Sequence, residues 1–148
     1  MAENKLVYKV FYETTPGLIS TGILLLRCTI GIYLFVAGAG KVLHWFGGYG
    51  MPATIQYLAK VGISAPLAYL SCYTEFLGGF LLALGLFTRP VAFAILINMA
   101  VATIVTLPGG LMGPNSAQTA LLFLIIDIAV LLSGPMAYSL DRLIFRKA

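Results

Sequence analysis

The sequence predicts an all-α protein, an antiparallel bundle of four transmembrane helices with an amphipathic interfacial helix between the first two. Three observations lead there. Of 148 residues, 60% are hydrophobic and 9% charged, and the mean hydropathy is +0.98. A soluble domain carries about 45–50% apolar and about 25% charged residues. The apolar residues gather in four continuous runs, each near the roughly 20 residues that cross a hydrocarbon core of about 30 Å. Pro16, Pro66, Pro90, Pro108, Pro114 and Pro135 fall at or beside the run ends, where a missing N–H does no harm. Continuous rather than alternating runs speak against membrane β-strands. The same composition argues against a soluble enzyme, a DNA-binding domain and a disordered tail. The length allows one domain, residues 1–148.

The elements follow in order. Residues 5–12 place Leu6, Val7, Val10 and Phe11 at helical spacing with Lys5 and Lys9 between them. They read as an interfacial segment or, equally, as a partly ordered tail. The first span is 17–38. It is longer than the roughly 7–15 apolar residues of a secretory signal and carries Arg27, so it is no signal peptide. The long connection that follows holds Trp45, Phe46, Tyr49 and Tyr57, which suit a membrane interface. Within it, 51–62 reads as the amphipathic helix, with Ile55, Leu58 and Ala59 apolar and Gln56 and Lys60 polar. Spans two to four are 65–87, 89–107 and 116–134. Their short connections imply antiparallel neighbours. An even number of spans puts both termini on one side. Lys5, Lys9, Arg89, Arg142, Arg146 and Lys147 lie there, against Lys41 and Lys60 opposite. That bias predicts cytoplasmic termini.

Each span is interrupted by one strongly polar residue: Arg27, Glu75, Asn98 and Asp127. At about 1.5 Å per residue, all four backbones fall roughly 14–17 Å into the membrane. A central Arg or Asp costs about 2.5–3.5 kcal/mol on insertion scales, so such a group turns inward and finds a partner. Arg27 is the cation expected at that depth, with Glu75 and Asp127 competing for it. One guanidinium against two carboxylates leaves a surplus acid, a group able to exchange protons with a bound redox molecule. Lys41, near the outer end of the first span, could reach inward. Ser71, Cys72, Glu75, Gly78 and Gly79 share a stripe, as do Ser20, Arg27, Gly31 and Gly38, and small residues let membrane helices approach closely. The plainer reading is that these polar groups only glue the helices together.

Other patterns carry less. GAGK at 38–41 resembles a phosphate loop, but Phe35 stands where the earlier glycine belongs and no Ser or Thr follows Lys41. It reads better as a helix C-terminus with glycine caps. His44 is the only histidine, so a two-histidine haem or His-based zinc site is excluded within the chain. It reads as an interfacial residue or as a donor to a quinone carbonyl. Cys28 and Cys72 lie within spans and form no metal pattern. Nine scattered Lys and Arg make no basic face, so no nucleic-acid partner is expected.

With these residues in view, the chain resembles the DoxX family of membrane proteins. The likeness covers roughly 18–134. It rests on Arg27, Lys41, the FGGYG turn at 46–50, the EFLGG of 75–79 and the LFTR turn of 86–89. The resemblance implies a four-helix protein of a bacterial or archaeal cytoplasmic membrane. Relatives include the DoxD subunit of an archaeal thiosulfate:quinone oxidoreductase, membrane parts of other redox or detoxification complexes, and eukaryotic assembly chaperones. Too few cations lie on the outer side for a thiosulfate dianion, so that specificity does not carry over.

The reading that follows is a membrane subunit of a quinone-linked oxidoreductase. Arg27, Glu75 and Asp127 would form the reacting polar cluster, and Lys41, His44, Asn98 and Cys72 would line the quinone site. No metal or flavin site is evident, so electrons come from a redox partner protein or a small reductant. The alternatives are an accessory or assembly subunit without chemistry, and a small proton or solute transporter made by a homo-oligomer in the bilayer.

Overall fold

The computed structural model describes residues 15–113 and 116–145. The interfacial segment expected at 5–12 lies outside them. Helix α1, Pro16–Val42, starts with proline in its first turn after an extended Thr15. It outruns the expected 17–38. Gly38 and Gly40 are not caps but lie inside the helix, whose end is closed by the Leu43 N–H on the Ala39 carbonyl at 2.8 Å. Without water competing for its carbonyls, a glycine inside the bilayer keeps its helical bonds. His44 and Phe46 then take left-handed backbone, φ 59° and 55°, and turn the chain.

Helix α2, Gly50–Lys60, half-buries Met51, Thr54, Ile55 and Leu58 and exposes Gln56, Tyr57 and Lys60. Helix α3 runs Ala65–Leu84, with one π turn at Thr74–Gly78. It stops at Gly85, whose φ of 71° suits glycine. Two bonds close the motif: the Gly85 N–H to the Leu82 carbonyl and the Leu86 N–H to the Leu81 carbonyl. Helix α4 is Thr88–Thr106, extended by a 3-10 turn at Leu107–Gly109. Helix α5 is Gln118–Ser133, and a short α6, Leu140–Phe145, follows.

Among the described residues every element is helical. Three stretches, Pro16–Val42, Ala65–Leu84 and Thr88–Gly109, are long and apolar enough to cross a membrane. Helix α5, expected over 116–134, has 16 residues, about 24 Å at 1.5 Å per residue, and is the short one. All four share one core: Ile30 and Leu34 of α1, Leu82 of α3, Ala92, Ile95 and Met99 of α4, and Val130 of α5. Outward, Ile104 and Leu132 are 70% and 76% exposed, with many large apolar neighbours. In water that surface would aggregate; in lipid it is solvated.

Helices α1 and α3 run antiparallel in backbone contact. A β-carbon at Gly79 would lie 2.4 Å from the Phe35 nitrogen, and one at Gly38 2.4 Å from the Phe76 nitrogen. Gly31 meets Ala83 in the same way. This seam sets the register of Lys41 against Glu75. The end of the bundle holding Pro16, Thr88 and Ser133 is termed the tail end, and the opposite end the loop end.

Candidate functional site

Glu75 sits in the π turn of α3 and is buried. Lys41 Nζ donates to Glu75 Oε2, the only ion pair among the described residues. Its geometry follows from side-chain direction. A helical Cα–Cβ bond tilts toward the helix N-terminus. Lys41, in the last turn of α1, therefore leans back into the bundle. Glu75, on antiparallel α3, leans toward the loop end, and the two converge. The Gly38 contact on Phe76 brings their backbones within reach. The π turn, frequent at functional sites, aims Glu75 at this seam. Cys72 is fully buried one turn away and lies within electrostatic range of both charges.

The same rule overturns the expected convergence of Arg27, Glu75 and Asp127. Arg27 is 1% exposed, but its side chain leans toward the tail end, away from Glu75. Nη2 donates to the Tyr138 carbonyl. The guanidinium lies under Gly85, where a β-carbon would be 2.7 Å from Cζ, and Asp141 is within electrostatic range. Neither Glu75 nor Asp127 pairs with Arg27. Asp141 was missed by the sequence reading. It accepts the Phe87 N–H at 2.6 Å and the Thr88 N–H at 2.8 Å through its two carboxylate oxygens. Its own N–H bonds the Gly85 carbonyl at 3.0 Å. It thus caps α4, holds Phe87 at φ 49° and ties the chain after α5 to the α3–α4 turn. The available signal was Arg27 itself, a buried cation in need of acceptors at the tail end.

Asp127 is 0% exposed, and neither carboxylate oxygen has a hydrogen-bond partner among the described residues. Phe123, Leu124, Val130 and Leu131, on the same face of α5, belong to the apolar core. Holding it there costs stability, because a buried polar group without a partner keeps its full desolvation penalty. Asp127→Leu is therefore expected to stabilise the detergent-solubilised protein by about 1–3 kcal/mol. A loss of stability in denaturant unfolding would mean that the carboxyl has a partner. Asn98 is half-buried on α4 and makes no side-chain hydrogen bond among the described residues. The His44 ring is seated over Gly50, its Nε2 only 1.8 Å from where a β-carbon would be. It packs the 44–50 turn and makes no hydrogen bond to Lys41 or Glu75. Both cysteines are free thiols.

Spanning helices that turn their large side chains outward and hold an ion pair within define a multi-pass α-helical membrane protein. The chain belongs to the DoxX family, whose family model matches residues 22–108, a stretch that includes Arg27 and the Lys41–Glu75 pair. It is 35% identical over 127 residues to "Putative oxidoreductase CatD" of Bacillus subtilis, covering 84% of this chain and 88% of that one. It is 29% identical over 153 residues to "Inner membrane protein YphA" of Escherichia coli, covering 94% and 99%. No solved structure matches the chain.

Proposed function

We propose that this protein is the membrane subunit of a quinone-linked oxidoreductase, with Lys41 and Glu75 as its polar working groups. The observation that carries the reading is an ion pair inside apolar helices, formed at a π turn. Removing two charges from water is costly, and an intramembrane ionisable pair marks a functional site by default. The name of the Bacillus relative supports a redox role. The donor set suits a quinone head. Lys41 is one-third exposed and carries three N–H donors, of which Glu75 takes one.

When bound, the quinone accepts two electrons and two protons. The electrons come from a partner protein or a small reductant. Lys41 would hold the quinone head by donating a hydrogen bond to a ring carbonyl oxygen and would stabilise negative charge there. Glu75, ionised in the pair, would keep Lys41 charged and in place, and the Lys41 ammonium would be the group that gives a proton toward that oxygen. In this reading α5 is the fourth span of an antiparallel bundle, α2 lies in the interface, and both termini face the cytoplasm.

Quinone is expected to extract with the wild-type protein. Glu75→Gln, which keeps shape but removes the charge, is expected to bind it roughly 10- to 100-fold more weakly, the loss of a charge-assisted hydrogen bond. The melting temperature checks that the variant is folded. Quinone absent from both proteins overturns the proposal.

A further inference from the structure

A cleft of about 750 Å³ opens at the tail end of the bundle, between the start of α1, the start of α4 and the segment after α5. Ile19, Phe87, Pro90 and Met136 give it apolar walls. Its charged members are Arg89, Arg142 and Asp141. The Asp141 carboxylate is already engaged by the Phe87 and Thr88 N–H groups. Arg89 and Arg142 form no ion pair among the described residues. The Arg89 guanidinium lies over Gly134, with Nε 2.9 Å from the position of a β-carbon. A further polar group borders the cleft: the Thr88 hydroxyl, fully buried and without a hydrogen-bond partner. The site thus offers two guanidiniums against one carboxylate, a net positive charge, at the end of an apolar trough.

We infer that this cleft binds an anionic phospholipid. The phosphodiester bridges Arg89 and Arg142, whose planar forks match phosphate oxygens. An acyl chain lies along Ile19, Phe87 and Met136. The apolar walls select an amphiphile over a soluble anion. The net positive charge selects a lipid of net negative charge over a zwitterionic one, whose own ammonium already balances its phosphate. Basic pockets between membrane helices hold anionic headgroups in this manner.

The test is lipid titration of the full-length protein in detergent, followed by native mass spectrometry and melting temperature. The ligands are phosphatidylglycerol, phosphatidylcholine and soluble glycerol phosphate. Each arginine near an anionic headgroup is worth about five-fold in affinity, so phosphatidylglycerol is expected to bind about thirty-fold tighter than phosphatidylcholine. The preference should vanish in R89Q/R142Q. Ala137→Trp, which fills the cleft and leaves both arginines in place, should weaken phosphatidylglycerol at least ten-fold. Equal affinity for the two lipids overturns the inference, as does a preference that survives R89Q/R142Q or is untouched by Ala137→Trp. Glycerol phosphate binding as tightly as phosphatidylglycerol also overturns it, because the site would then take a free anion.

Discussion

Asp141→Ala is expected to destabilise the protein by about 3–5 kcal/mol, although it lies beyond the last long helix. The substitution removes two charge-assisted bonds to the Phe87 and Thr88 N–H groups. It leaves the first turn of α4 uncapped and Phe87 in left-handed backbone without its support. It also strips buried Arg27 of a nearby countercharge. Asp141→Asn should recover about half of the loss, since its single carbonyl oxygen can still accept one N–H. Denaturant unfolding in detergent measures both variants. A loss below about 1 kcal/mol for alanine would mean that the α3–α4 turn holds its shape without the clamp.

Gly79→Val is expected to cost at least as much, about 4 kcal/mol or more, by wedging α1 from α3. The space a β-carbon needs is occupied by the Phe35 nitrogen and the Gly31 carbonyl oxygen. Backbone cannot swing aside as a flexible side chain can. Gly38→Val meets the Phe76 backbone in the same way and should also pull Lys41 away from Glu75. Gly22→Val is the control: it lies on the same helix with nothing within 4 Å of a β-carbon, so its stability should stay within about 0.5 kcal/mol of wild type. Equal effects at Gly22 and Gly79 would mean that the α1–α3 backbone contact does not set the stability of the bundle.

Much of the helical layout was legible because hydropathy accumulates along a run of residues. The expected 65–87 and 89–107 differ from α3 and α4 by three residues or fewer at each end. Glu75 and Asp127 were also legible as buried, since a carboxylate inside twenty apolar residues has nowhere polar to face. Their partners were not. Rise per residue fixes only the depth of a Cα, yet Arg27 ends at the tail-end carbonyl of Tyr138 because its long side chain leans toward its own N-terminus. The π turn adds one residue to a helical turn without changing hydropathy, so it leaves no trace in periodicity. Asp141 acts on residues 53 and 54 positions away, and in the sequence it reads as one acid in a basic tail.

By itself the sequence determined that this chain lives in a membrane, that it crosses as helices, and that small residues let those helices touch. These are properties of composition and of order along one dimension. Only the tertiary structure decided which charges meet: Lys41 with Glu75, Arg27 with the Tyr138 carbonyl near Asp141, and Asp127 with none among the described residues. The physical reason is that pairing depends on the register between antiparallel helices and on the tilt of each side chain. Shifts of a few ångströms in either exchange one partner for another while the hydropathy of the chain stays the same.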